Sequence, residues 1–168
     1  PATAQVLPYL TRNIVTLGDL IPGTRILVWS DAQGEPEKVL VFPYAYRGYV
    51  SVGEDGIVSV NGQATTRKVR TADDGDTLLP IRAVAEALGM SVRWDAKQGA
   101  VVSYGDDMVK PVPLTSETLM TAVPGGAITM VAADGTEEPV YGTCLKENGT
   151  TYVSRTALAQ ALNLYLAD

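Results

Sequence analysis

Tyr44, Tyr46, Arg47 and Tyr49 fall within six residues, in the stretch YAYRGY. Flat aromatic rings with a polar tip suit stacking on sugars, and a guanidinium fork suits a carboxylate. With Trp29, which ends a preceding apolar run, they make a candidate surface for cell-wall glycan, for peptide or for another surface protein. A loop whose tyrosines only cover the edge of a β unit leaves the same pattern. A second candidate, DDGD at Asp73–Asp76, groups carboxylates as calcium loops do. It lacks the further carboxylate that EF-hand spacing requires, so a turn without metal is the expectation. Glu86 and Asp95 are a third candidate. Acid/base hydrolysis needs two carboxylates at a fixed separation across a cleft, and nothing in their spacing fixes one.

What is missing is as informative. The 168 residues contain no histidine, which removes the usual general base, the commonest metal ligand and every Ser-His or Cys-His pair. Cys144 is the single cysteine, so no intramolecular disulfide can form, and between YGT and LKENG it reads as a small buried hydrophobe. Nucleophile-elbow, Ser-x-x-Lys, Cys-x-x-Cys and phosphate-loop patterns are all lacking. The sequence therefore predicts no enzyme and no cofactor. The formal net charge is −6 and the thirteen basic residues are scattered, which argues against nucleic acid as a partner. No apolar run approaches the ~20 residues of a membrane-spanning helix. The chain starts at Pro1 rather than Met, which reads as a processed piece compatible with export. An acidic chain with one cysteine fits a secreted bacterial protein that does not rely on disulfides.

The elements that would carry these residues are mostly strands. TRILVW (Thr24 to Trp29) and KVLVFPY (Lys38 to Tyr44) are apolar, β-branched runs around a polar turn, and Pro22-Gly23 marks a tight turn before them. They predict a β-rich N-terminal segment over 1–55, part of a small barrel or sandwich. Beyond Gly56, Asn61-Gly62 sits between alternating apolar flanks, the strongest short-range hairpin signal. A helix follows, with Pro80 in its first turn, Ile81, Val84, Ala85 and Leu88 on one stripe and Gly89 as its stop. SVRW and AVVSY are short strands around a turn.

The stretch from Thr77 to Trp94 recurs from Thr151 to Asp168 at a constant offset of 74 residues. Thr77, Ala83, Ala85, Ala87 and Leu88 meet Thr151, Ala157, Ala159, Ala161 and Leu162, and the turns DDGDT and ENGTT precede the two copies. Ser154 replaces Pro80 and is the expected N-cap of the second helix. The prediction is an α+β protein with two strand-hairpin-helix-strand repeats, 56–104 and 119–168, whose antiparallel sheet packs on short helices. The second copy lacks the closing WDAKQGAVV hairpin. Its sheet edge is therefore completed by another segment or left open, and an open edge is a template for a homodimer.

The pattern VNGQ … TLLPIRAVAEALGMSVRWDAKQGAVV resembles the copper amine oxidase N-terminal-like domain, also called the stalk domain. The likeness rests on Val60 to Gln63, Leu79 to Arg82, Ala85 to Gly89, Val92 to Asp95 and Gly99 to Val102. It weakens over Ala127–Asp168, where Pro80, Arg82, Gly89 and Trp94 become Ser154, Thr156, Asn163 and Asp168. The resemblance implies a secreted or cell-surface protein of a Gram-positive bacterium, serving as a structural spacer or adhesion module. It implies structural roles for Arg82 and Trp94, with Arg82 paired to Glu86 or Asp95 and Trp94 a core or edge anchor. Asn61, Gly62 and Gly89 are structural from their turn chemistry. The family name does not imply oxidase chemistry, which needs three copper-ligating histidines and a tyrosine converted to a quinone.

Overall fold

The computed structural model describes residues 5–8, 26–41, 46–105, 118–132 and 134–167. The chain divides into two compact units, Pro1–Tyr46 and Arg47–Asp168. In the first, β1 (Gln5–Pro8), β2 (Ile26–Ser30) and β3 (Pro36–Val41) form a sheet in the order β1-β3-β2, with β1 parallel and β2 antiparallel to β3. The polar turn between β2 and β3 is held by Asp31, whose Oδ1 accepts the backbone N–H groups of Gln33 and Glu35. Val39, Leu40 and Val41 are buried, as the apolar run predicts. Pro22-Gly23 lies outside the described residues.

The second unit contains β4 (Gly48–Val52), β5 (Ile57–Val60), β6 (Gln63–Lys68), β7 (Arg70–Thr71), β8 (Thr77–Pro80), α1 (Ile81–Ala87), β9 (Met90–Asp95) and β10 (Gly99–Tyr104). These are followed by β11 (Thr118–Ala122), β12 (Ile128–Val131), β13 (Glu137–Val140), β14 (Cys144–Glu147), β15 (Thr150–Ser154), α2 (Arg155–Leu162) and β16 (Leu164–Leu166). Three sheets result, in the orders β13-β12-β11-β10-β9, β14-β15-β8-β7 and β16-β4-β5-β6. The architecture is β-rich with two short helices, in the α+β class. β4, expected with the N-terminal segment, belongs to this second unit because it pairs with both β5 and β16.

Turn chemistry explains the local geometry. Asn61-Gly62 and Asn148-Gly149 each place two successive residues at positive φ, 51° and 79°, then 49° and 76°. Those are the conformations a two-residue hairpin turn needs to follow the strands' twist. The Asn61 side chain does more. Its Oδ1 accepts the Tyr49 N–H at 3.0 Å while the Asn61 backbone N–H donates to the Tyr49 carbonyl, tying the hairpin to β4. Helix α1 is followed by Gly89 at φ 79°, and α2 ends at Asn163, left-handed at φ 52°. Asparagine tolerates that region better than other residues with a Cβ, so it does at Asn163 what Gly89 does after α1. Ser154 departs from expectation. It occupies the N-cap position without capping, because its hydroxyl bonds the Thr156 hydroxyl at 3.1 Å instead.

Helices of seven and eight residues do not hold their shape alone in water, and packing must supply their stability. Ile81, Val84 and Ala85 of α1 and Ala157, Leu158, Ala159 and Leu162 of α2 are buried in one contiguous core with residues of all three sheets. At the centre, β8 and β15 run antiparallel with Leu79 opposite Val153, both fully buried. Two long-range pairings close the unit. β10 bridges β9 to β11, and β16 runs parallel to β4, so β4 pairs with the strand that follows α2 as β10 pairs with the strand that follows α1. Edge strands β6 and β13 carry Arg67 and Lys68, and Glu137, Glu138 and Pro139, features that discourage the addition of a further strand.

Candidate binding groove

The aromatic cluster singled out by the sequence is divided between the two units. Tyr44 lies outside the described residues. Half-buried Trp29, with Lys38 Nζ 5.9 Å from its ring centre, and half-buried Tyr46 belong to the first unit. Arg47 and Tyr49 belong to the second. There the Arg47 guanidinium lies over the buried Tyr104 ring at 5.3 Å and donates to its hydroxyl at 3.2 Å, while its backbone N–H donates to the Asn163 carbonyl. Tyr49 sits in β4, half-buried, and the loss of water raises the pKa of its phenol.

A different set of residues converges on a hollow of about 610 Å³ in the second unit. Helix α1 contributes Arg82 and Glu86, β6 contributes Thr65, Thr66 and Arg67, β9 contributes Arg93 and Trp94, and β14–β15 contribute Lys146, Thr150 and Thr151. Ser91 and Arg93 turn to solvent by strand alternation, whereas Trp94 shares the face of buried Met90 and half-buried Val92 and is exposed near the end of an edge strand of the five-stranded sheet. The indole is therefore not a core residue. It remains 47% exposed and carries Lys146 Nζ 3.6 Å from its ring centre, a cation–π contact that links β9 to β14. Arg82, also a family-pattern residue, pairs with Glu86 one helical turn on at 2.9 Å, and Arg93 rather than Arg82 reaches Asp95, at 3.6 Å.

The groove is electropositive in an acidic protein. Arg67, Arg82, Arg93 and Lys146 line it against Glu86 alone, although the chain as a whole carries −6. Neither Arg67 nor Lys146 makes an ion pair among the described residues. Glu86 and Asp95 are each held by an arginine, and two backbone N–H groups, those of Gln98 and Lys97, keep the Asp95 carboxyl below its usual range. That is the chemistry of an ionised turn carboxylate, not of a proton donor. DDGD forms a turn in which Asp74 accepts the Asp76 N–H and the Thr143 hydroxyl. Among the described residues no group of three or more carboxylate, cysteine or histidine side chains is placed to hold a metal ion. Cys144 is buried beneath β14, and desolvation pushes its thiol up to about 11, away from the nucleophilic thiolate.

Sequence reasoning found Arg82, Glu86 and Trp94 as individual residues and missed the groove, because Arg67 and Lys146 come from strands far apart in the chain. The one signal in the sequence was an indole in a short strand next to a basic residue, Arg93-Trp94.

The family model for the copper amine oxidase N-terminal domain matches residues 59–167, which begin in β5 and end just beyond β16. No curated protein and no solved structure matches the chain. The matched domain is a non-catalytic part of copper amine oxidases. By this match over most of its second unit, the chain belongs to the copper amine oxidase N-terminal domain family.

Proposed function

We propose that the chain is a non-catalytic structural module that carries tension within a secreted or cell-surface bacterial protein. One observation carries this reading: the first and last strands of the second unit lie side by side and parallel, Gly48 opposite Leu164 and Val50 opposite Leu166. The Arg47 N–H donates to Asn163 and the Ala167 N–H to Val50, so hydrogen bonds flank both ends of the pairing. Force that enters at Gly48 and leaves at Leu166 slides the two strands past one another and loads these bonds together. Peeling a hairpin loads them one at a time. A spacer exposed to pulling benefits from the first arrangement.

The interlocking follows from internal duplication. With the 74-residue offset, Leu79 corresponds to Val153, and these two residues pair directly. Leu78 pairs with Ser154 and Pro80 with Tyr152, so Leu78 meets the counterpart of Pro80 and Pro80 the counterpart of Leu78. Such pairing is what a local two-fold axis through β8 and β15 generates. It lets each half lend a terminal strand to a sheet of the other, so neither half can leave without opening two sheets. Outside the cytoplasm, a lone buried thiol leaves this interlocking, rather than disulfides, to hold the fold.

Single-molecule pulling tests the proposal. The full chain is held once through positions 47 and 167 and once through positions 52 and 57, across the β4–β5 hairpin. The expected result is a higher unfolding force for the first pair at equal loading rate. Equal forces, or a weaker first geometry, would end the tension-bearing reading.

A further inference from the structure

We propose that the groove between α1, β6, β9 and β14 binds an acidic oligosaccharide, a chain of sugars carrying carboxylates of the uronic-acid type. Three independent features point to this class. The Trp94 indole stays 47% exposed although Lys146 covers part of it, and an exposed flat ring at a groove is suited to the apolar C–H face of a pyranose. The cations around it are mostly arginines, whose forked donors match a carboxylate. Between them lie Gln63, Thr65, Thr66 and Thr150, short neutral groups that both donate and accept, as sugar hydroxyls require. The volume of about 610 Å³ lies within the ~300–1,000 Å³ of small-ligand sites.

The charge pattern favours this ligand over its competitors. Lys146 sits 3.6 Å from the indole centre, so a carboxylate held by the ammonium leaves its own sugar ring beside the indole. Arg67 has no counter-ion among the described residues and extends the positive wall by one residue type suited to a second carboxylate. A nucleic acid strand asks for a series of stacking platforms along a basic track. Here there is one indole, Trp94, among the groove's residues. A neutral glycan would leave Arg67 and Lys146 without a counter-charge, since Arg82 and Arg93 already pair with Glu86 and Asp95. This inference does not depend on the tension-bearing reading, and either can fail alone.

The test is calorimetric titration of the full chain with tetragalacturonate, against maltotetraose as the neutral counterpart and an eight-residue oligothymidylate as the nucleic-acid one. Saturable binding of the uronate alone is expected, weakening as salt rises. Trp94→Ala is expected to weaken it at least about tenfold and Trp94→Phe by less, since one stacked ring accounts for that order of affinity. Arg67→Ala and Lys146→Ala are expected to weaken it by about three- to tenfold each and to flatten the salt dependence. Trp29→Ala, in the first unit, leaves binding unchanged. Because Trp94, Arg67 and Lys146 are all solvent-facing, each variant is checked for an unaltered unfolding midpoint. No saturable uronate binding would overturn the proposal. So would affinity unchanged by both Trp94→Ala and Lys146→Ala, or equal binding of maltotetraose or of oligothymidylate through the same residues.

Discussion

The two halves of the second unit, compared residue by residue at their 74-residue offset, separate architecture from site. At four core-facing positions the halves agree in kind, Leu79 and Val153, Val84 and Leu158, Ala85 and Ala159, Leu88 and Leu162, while buried Ile81 meets Arg155. Arg82, Glu86, Arg93 and Trp94, which are exposed in the first half, become Thr156, Gln160, Ala167 and Asp168 in the second. Packing constrains the first set, because a core at crystal-like density tolerates little change of volume. Nothing about folding asks the solvent face of one half to carry arginines and an indole when the other half folds without them. The groove draws Arg82, Glu86, Arg93 and Trp94 from the first half and Lys146, Thr150 and Thr151 from the second, and the first four have no counterpart of the same kind at the 74-residue offset.

That separation breaks first if the shared core is not shared. Leu79→Ala opens a cavity where β8 crosses β15, and a loss of about 2–5 kcal/mol is expected in denaturant unfolding. Val153→Ala removes less, about 1–3 kcal/mol, because fewer methyl groups go. The two residues pair directly, so the double variant should depart from the sum of the singles. Strict additivity would mean that the halves are stable separately and that the pairing between them contributes little.

Gly99 probes the point where the halves differ in topology, the extra strand β10. It lies at φ 71° in a bulge of the β10–β11 pairing, and a Cβ there would run into the Ala122 carbonyl. Gly99→Ala should cost on the order of 3 kcal/mol, from strain at positive φ and the clash together. Cys144 gives a smaller and pH-dependent effect. Its folded thiol keeps its proton up to about 11, against an ordinary value of 9.0. Between these values the unfolded chain releases a proton that the folded chain retains. The contribution is full below pH 9 and is lost as pH rises through 11, about 2 kcal/mol in all. The stability difference between wild type and Cys144→Ala, followed from pH 8 to 11, should shrink by that amount. A flat difference would mean that the thiol is not desolvated.

How much of this was legible beforehand follows from the range of each interaction. The hairpins at Asn61-Gly62 and Asn148-Gly149, the helix stripe and the stop at Gly89 are decided by neighbours in sequence, and the sequence displays them. The offset of 74 residues predicts a repeat, but not that β8 meets β15 or that β16 lies parallel to β4. Strand partners far apart are chosen by the global packing of the core. The groove failed for the same reason: Arg67, Trp94 and Lys146 share nothing local. Tyr44, Tyr46 and Tyr49 stand out because they are close in sequence; the unit boundary falls between Tyr46 and Tyr49, and Tyr44 lies outside the described residues. Ser154 misled because capping preference is statistical, and the Thr156 hydroxyl offered its side chain a nearer partner.

Arg82 sharpens the comparison with the smallest effect. The family pattern makes it conspicuous, and a structural ion pair with Glu86 was the natural reading. The pair does form, but with 58% and 52% of the two side chains exposed. In water such an i,i+4 pair is worth only ~0.3–0.5 kcal/mol, because solvent and salt screen it and both long side chains lose freedom. The Thr156 position of the other half manages without it. Arg82→Ala should therefore leave the unfolding free energy within about 0.5 kcal/mol of wild type. A loss above about 1.5 kcal/mol would instead place Arg82 among the folding residues. The divergence between the halves would then reflect two solutions to one stability problem rather than a site.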